Sequence, residues 1–564
     1  MGKANSIRSG IRASVAALSM GLAMGGPLIT ATATAQVVER PIPGGAIRID
    51  SGLVAGKVLE SGVQAWFGIP FAAPPVRERR WRAPAPVAPW QGTYNADRKA
   101  AECIQPLRAH NINHYFGEEP TSEDCLYLNV WAPEGAKAGD DLPVVVYIYG
   151  GGSTIGSSGM AIYGGEEVAR RGAIFVNFNY RVGAMGFMAH PELTAESPDH
   201  ASGNYAHLDQ IAALRWIQAN IARFGGDPSK VVISGQSAGA GAVSLLQASP
   251  LAVGLFRGVV AMSGGTWGNG GASVRPLSDA EAIGTEMQRV LQAPDLEAMR
   301  NIPADRILAL QEDCQLGCTA GNIRVGGASI DGHFLPDQPA TLFAEGRHSD
   351  VPVIAGYAAD ESNNRIKLAT TVEAFRAAAE AGYGEAAAEF LRLYSPQSDA
   401  DLKALGSAAA RDAAVGRTAR NWAIAQNRWG HSPTYIYMLS RVHPFNPAVE
   451  IADHPERIGA YHTSDVPYWF GTLEALNIFR PTRIWTDADR QLSNTMIDSI
   501  ITFARTGSPA TPALTWPAWS PGAERYVRLD TRIETLAYDP ARMDFHIAHT
   551  LSQAAVAPPR GTRD

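Results

Sequence analysis

The chain has 564 residues, of which 46% are apolar and 18% charged, and its formal net charge is −7. That balance supplies enough apolar side chains for a large buried core and excludes a disordered or low-complexity chain. With a net charge this small and no Lys/Arg-rich stripe to track phosphates, no nucleic-acid partner is expected.

In chain order, the first segment is unlike the rest. Lys3, Arg8 and Arg12 make a basic start, an apolar and small-residue run follows from Ala13 to Ile29, and Ala33-Thr34-Ala35 puts small residues where a signal peptidase cuts. Residues 1–35 therefore read as a signal peptide, with Gln36 the first residue of a secreted or periplasmic mature chain. A retained membrane anchor is the alternative. Ser19, Gly21, Gly25, Gly26 and Pro27 interrupt the run, however, and make it a poor spanning helix, so no membrane span is expected in the mature protein.

The four cysteines, Cys103, Cys125, Cys314 and Cys318, fit an exported protein, because bridges persist in an oxidising compartment. Chain order suggests the bridges Cys103–Cys125 and Cys314–Cys318, although four cysteines permit three pairings. Neither pair has C-x-x-C spacing, so no metal site is expected from them.

Past the leader, Val144–Tyr149 reads as a buried strand ending in Gly150-Gly151-Gly152, and Ala173–Tyr180 as a second strand. From Asn204 to Phe224 apolar residues recur at helical spacing. Val231–Ser234 is a short strand, followed by a turn and a small-residue helix over Ala238–Gln247. Gly258–Met262, Val351–Ala355 and Thr434–Leu439 read as later strands. Continuous apolar strands separated by helices define the α/β class, with a large, mainly parallel central sheet flanked by helices. No internal repeat or linker divides residues 36–564, which read as a single domain. The segments Gln36–Gly45 and Ala555–Asp564 read as poorly ordered.

Gly235-Gln236-Ser237-Ala238-Gly239 falls between a predicted strand and a predicted helix. A serine on so sharp a turn needs glycine on both sides, because a side chain there would strike the neighbouring strand or helix. The turn lifts the hydroxyl clear of the sheet, near the positive end of the helix. This is the strand–serine–helix arrangement of the α/β-hydrolase fold, and it marks Ser237 as a nucleophile rather than a structural turn residue. A hydroxyl also needs a base for its proton and donors for the oxyanion that forms. The N–H groups of Gly151, Gly152 and Ala238 are the candidate donors, each worth about 3 kcal/mol of barrier.

Further stretches resemble a known family, the type-B carboxylesterases, which include bacterial carboxylesterases, fungal lipases and cholinesterases. They are Phe67-Gly68-Ile69-Pro70-Phe71-Ala72-Ala73-Pro74-Pro75, Glu123-Asp124-Cys125-Leu126-Tyr127-Leu128-Asn129-Val130, Asn179-Tyr180-Arg181-Val182-Gly183 and Phe224-Gly225-Gly226-Asp227-Pro228. The resemblance implies an acid in Asp360-Glu361, with Glu361 the expected member and Asp360 the neighbour to test. It also singles out His462, in Gly459-Ala460-Tyr461-His462, from the chain's thirteen histidines. The chain order serine, acid, histidine is the one this fold uses. Activity is then expected to fall as His462 protonates, near pH ~6–7.

The resemblance implies that Cys103–Cys125 closes a loop overhanging the active-site gorge. That loop carries His110 and His114, read as rim or surface residues rather than metal ligands, and Tyr115 and Phe116 as possible entrance residues. Gln236 stands where cholinesterases carry Glu, and Ser153 where many relatives carry an aromatic residue; both are candidate substrate-binding positions. The gorge loop also lacks a Trp to hold a cation, so a choline ester is not the expected substrate. The expected activity is hydrolysis of a small or medium-sized carboxylic ester, the ester itself being the partner and no cofactor being required. Another acyl hydrolase (lipase, amidase or thioesterase) and a non-catalytic binding homologue are the alternatives.

Overall fold

Eleven strands build the central sheet: β1 (Lys57–Val58), β2 (Gln64–Pro70), β3 (Tyr127–Ala132), β4 (Leu142–Ile148), β5 (Ile174–Phe178), β6 (Gly226–Gln236), β7 (Gly258–Met262), β8 (Val353–Ala358), β9 (Thr434–Leu439), β10 (Arg525–Leu529) and β11 (Glu534–Ala537). Their order across the sheet is β11-β10-β9-β8-β7-β6-β4-β5-β3-β2-β1. The computed structural model describes residues 40–106, 120–267, 274–312, 325–450 and 458–556, all within one compact unit, Arg40–Asp564.

From β10 to β5 every neighbouring pair is parallel. The pairs outside that block, β5–β3, β3–β2, β2–β1 and β10–β11, are antiparallel. Strands β5, β7, β8 and β9 are buried at every position. Alternate side chains point to opposite faces, so both faces of the sheet must be covered. Helix α1 (Tyr205–Asn220) packs against β6, α2 (Ala238–Ala248) against β6 and β7, α3 (Arg417–Trp429) against β8 and β9, and α4 (Asp487–Thr506) against β4 and β6. Helix α4 begins with a capping box between Thr486 and Asp489 and stops at Gly507, whose left-handed backbone (φ 82°) a side chain would disfavour.

The predicted strands Gly258–Met262 and Thr434–Leu439 coincide with β7 and β9. The expected Val231–Ser234 is the middle of the longer β6, and the expected helix from Asn204 ends as a 3-10 turn over Ile221–Phe224. The antiparallel edges are additions to the sequence reading. β2 carries Gly68 and Pro70 and a register shift between Trp66 and Ile69, and β10 mixes Arg525 and Arg528 with its apolar residues, so neither shows a clean strand pattern. The expectation of poor order over Gln36–Gly45 is corrected from Arg40 onward. Pro41 bridges Lys57, and Arg40 O accepts from Val58 N at 2.8 Å, so the segment gains backbone partners on the sheet edge. At the other end, Ala555 and Val556 close a helix, Pro540–Val556.

The register sets the site. Ile148 pairs with Gly235, Gln236 with Met262, Met262 with Gly356, and Gly356 with Tyr437. The carboxyl ends of β4, β6, β7, β8 and β9 therefore lie in one row, where open α/β sheets place their ligands.

Candidate active site

Ser237 follows the last residue of β6 and precedes α2, with φ 58° and ψ −120°. That conformation is strained for a residue with a side chain, and neighbouring hydrogen bonds hold it. Ser237 N donates to Met262 O at 2.8 Å, and Ser237 O accepts from Gly241 N at 3.0 Å. A Cβ on Gly235 would fall on Gly239 O, and one on Gly239 on Ile148 O, so both flanking glycines are sterically required. Ser237 is half-buried, and among the described residues its hydroxyl has no hydrogen-bond partner.

The predicted base and acid lie on the segments that follow two neighbouring strands, β9 and β8. His462 Nδ1 lies 2.5 Å from Glu361 Oε2, and the Glu361 side chain is 1% exposed against 40% for His462. The other Glu361 oxygen accepts from Ala358 N at 3.0 Å, which fixes the carboxylate on its own loop. Asp360, the alternative acid, faces elsewhere. Its Oδ2 accepts from Ala460 N at 3.0 Å while Asp360 N donates to Ala460 O at 2.9 Å. This two-way bond pins the histidine segment to the loop after β8, and Gly459 has no Cβ because one would meet the Asp360 carboxylate. His462 Nε2 points back toward β6, 3.2 Å from the side-chain nitrogen of Gln236, the residue before Ser237.

The glycine loop presses on the same turn. A Cβ on Gly150 would fall on Gln236 O and lie 3.0 Å from Ser237 Cβ. Gly151 and Gly152 both have positive φ, 110° and 63°, and Gly151 O accepts from Thr154 N and Ile155 N. Their own N–H groups are not engaged in loop or cap hydrogen bonds among the described residues. The loop therefore brings free backbone donors beside the serine, and Ala238 N–H opens α2 immediately after it.

The model of the carboxylesterase family matches residues 44–547. The chain belongs to the carboxylesterase family. Among similar proteins are the fumonisin B1 esterase of Sphingopyxis macrogoltabida, 34% identical over 86% of each chain, and the para-nitrobenzyl esterase of Bacillus subtilis, 32% identical over 86% of this chain and 95% of the relative. A solved structure of a PNB esterase aligns over 89% of this chain and 99% of its own at 30% identity, with a TM-score of 0.72. The fold is the α/β-hydrolase fold, and the enzyme hydrolyses carboxylic esters.

In this carboxylesterase a second carboxylate lies close to the base, and the sequence reading gave it no role. Asp465 is fully buried, its Oδ2 accepts from Tyr437 Oη at 2.6 Å, and among the described residues its Oδ1 has no partner. Burial pushes its pKa up to about 6, against the Tyr437 hydrogen bond; the charge of Glu361 adds to the rise and that of His462 opposes it. For His462, burial disfavours the imidazolium, but the hydrogen bond and charge of Glu361, helped by Asp465, outweigh it and raise the pKa. In the sequence Asp465 stands three residues after His462 and opens the stretch Asp465-Val466-Pro467-Tyr468.

Other residues are placed as follows. Ser153 ends the glycine turn with φ 63°, and its carbonyl accepts from Gly183 N at 2.7 Å. His207 is a core residue: its ring stacks on Phe334 at 4.8 Å, Nδ1 meets Gln210 Oε1 at 3.0 Å, and burial lowers its pKa to about 4. Cys103 and Cys125 form a disulfide. Cys314, Cys318, His110, His114, Tyr115 and Phe116 lie outside the described residues.

These shifts give a pH dependence. A general base at His462 would work as neutral imidazole, so kcat/KM for a soluble ester should fall as pH drops through its raised value, with a midpoint above about 6.5. The limb belongs to the coupled His462–Glu361–Asp465 cluster rather than to one residue. Stability runs the other way: the raised native value contributes stability below the unfolded value of about 6.5, lost as pH rises through the native one. A pH–rate profile checks this, and constant kcat/KM down to pH 4 would remove His462 as the base.

Proposed function

We propose that Ser237 is the nucleophile of this carboxylesterase, His462 its general base and acid, and Glu361 the carboxylate that orients the imidazole. The observation that carries this reading is the 2.5 Å contact from Glu361 to His462 Nδ1, with Nε2 of the same ring directed at the Ser237 turn. A buried carboxylate that only accepts fixes the ring hydrogen on Nδ1 and leaves Nε2 as the base.

The steps follow from that tautomer. His462 Nε2 takes the Ser237 proton as Oγ bonds to the ester carbonyl carbon, and Gly151, Gly152 and Ala238 N–H groups receive the oxyanion. The imidazolium returns its proton to the departing alkoxide, leaving an acyl-serine and an alcohol. Water then enters by the same route, giving one proton to His462 as its hydroxyl bonds to the acyl carbon; the C–Oγ bond breaks, Oγ takes that proton back from His462, and the carboxylic acid leaves with Ser237 restored. Exchanging Ser237 for Ala should lower kcat by ~10⁴-fold or more and abolish labelling by a fluorophosphonate probe. Undiminished turnover or continued stoichiometric labelling in S237A would refute the assignment.

The substrate class is a small or medium-sized ester that carries no required cation. Relatives are named for fumonisin B1, para-nitrobenzyl esters and cocaine, so membership of the family does not select one acid or alcohol. Gln236 and Ser153 are the proposed substrate-side residues. Gln236 puts a neutral amide where a carboxylate would attract a cation, which supports neutral or anionic acyl groups. A neutral p-nitrophenyl ester should therefore be cleaved with higher kcat/KM than a choline ester of the same acid; preference for choline would reverse this reading.

Export completes the proposal: residues 1–35 are a cleaved signal peptide and 36–564 one secreted or periplasmic catalytic domain. The Cys103–Cys125 bridge supports an oxidising destination, and among the described residues no helix is long and apolar enough to cross a membrane. N-terminal sequencing of the exported protein should begin at Gln36; an intact Met1 in that fraction would contradict cleavage.

A further inference from the structure

Gln236 ends β6, fully buried, with its backbone paired to Met262. Its side chain lies over Gly150, where a Cβ would stand 3.2 Å from Gln236 Oε1. The amide nitrogen is 3.2 Å from His462 Nε2, while Oε1 is shut away from solvent with no partner among the described residues. On the far side of the ring, Nδ1 meets the Glu361 carboxylate.

Hydrogen bookkeeping fixes the meaning of this orientation. An ionised carboxylate only accepts, so Nδ1 carries a hydrogen and the neutral ring offers a bare lone pair at Nε2. An amide N–H matches that lone pair. The reversed amide would set its oxygen against Nε2 and would need a hydrogen there, which only the imidazolium has. Gln236 thus leaves its own oxygen unpartnered, at a cost, and faces the neutral ring with a donor. Meanwhile the Ser237 hydroxyl, the expected donor to Nε2, is unbonded among the described residues.

The geometry points to Gln236 as a positioning residue for the general base: in the resting enzyme its amide N–H occupies His462 Nε2 and holds the ring neutral until the Ser237 hydroxyl takes its place. This rests on the reading of Ser237, His462 and Glu361 given above. The charged groups gathered around the ring among the described residues are Glu361, with Asp360 and Lys367 beside it on the loop after β8, and Asp465 on the ring's own segment. Glu361 and Asp465 favour the imidazolium, and the amide on β6 opposes them.

The test is the acid limb of kcat/KM for p-nitrophenyl acetate in the mature enzyme and in Gln236→Met, which keeps the length and removes the donor without adding charge. Loss of the donor makes the base more basic, so the limb should move up by about half a pH unit, a roughly threefold loss of activity below it. The readout is the position of the limb relative to each enzyme's own alkaline plateau, whatever the height of that plateau. A limb that stays within about 0.3 pH unit of the parent, or moves down, overturns the proposal. Should Q236M fail to fold, Gln236→Glu replaces it. The carboxylate can only accept from Nε2–H, so the limb should rise by about one unit or more, and an unmoved limb overturns the proposal. S237A and His462→Ala run alongside. Activity surviving in either sinks the triad reading itself, whereas an unmoved limb in an active Q236M sinks only the role of Gln236.

Discussion

The contact between His462 Nδ1 and Glu361 Oε2 is the constraint on which the rest of the site depends. A carboxylate with its side chain 1% exposed has lost most of its water, and it is tolerable there only because a backbone N–H and the imidazole both donate to it. In return it dictates the tautomer. With the hydrogen held on Nδ1, every chemical property of the ring is concentrated on Nε2, the atom that faces the serine turn. The backbone around this pair is built to keep it. Asp360 and Ala460 exchange two hydrogen bonds, so the loop carrying the carboxylate and the loop carrying the imidazole move as one piece. Two adjacent acids thus divide two tasks, one holding the loop and the other facing the ring.

Asp465 changes the electrostatic picture of that pair. Two carboxylates lie near one imidazole, and both favour its charged form, yet catalysis begins from the neutral form. In the proposed mechanism, charge placed this way stabilises the imidazolium that forms as the serine loses its proton, which is the stage at which stabilisation accelerates the reaction. The cost is a base that protonates too readily at low pH. A neutral amide at position 236, rather than a third carboxylate, limits that cost. The side chains around Nε2 and Nδ1 therefore form a balance of opposing influences.

How much of this was legible in the sequence depended on whether a feature is local. The Ser237 turn declared itself because its strain demands glycine at 235 and 239, and the collisions of a Cβ at either position show why. The central parallel strands were legible because burial on both faces requires unbroken apolar runs. The partners of Ser237 were not. Glu361 and His462 are separated by 101 residues, and only the pairing of β8 with β9 brings their loops together. Family resemblance, rather than spacing, pointed to them. The edge strands escaped notice because Gly68 and Pro70 break the apolar run of β2, and Arg525 and Arg528 that of β10. Asp465 escaped because burial, the property that moves its pKa, belongs to the packing of Tyr437 and its surroundings rather than to the local sequence.

Backbone strain connects these pieces. Among the described residues nine non-glycine residues have positive φ, and four of them, Ser153, Ser237, Ser263 and Thr463, stand at the carboxyl ends of the site-forming strands or beside His462. Thr463 is β-branched at φ 80°, a conformation that side-chain sterics oppose. Such positions cost about 1–3 kcal/mol each, and they persist only where surrounding contacts over-determine them. Here those contacts are hydrogen bonds between neighbouring strand ends, Ser237 N to Met262 O and Ser263 N to Gly356 O, joined by Asp360 N to Ala460 O, which ties the loop after β8 to the segment carrying His462. Each strand end is bent by the next. The sheet's register therefore does more than support the loops. It fixes the row that brings Ser237, Glu361 and His462 together, and it holds their backbone in conformations that none of these segments would adopt alone.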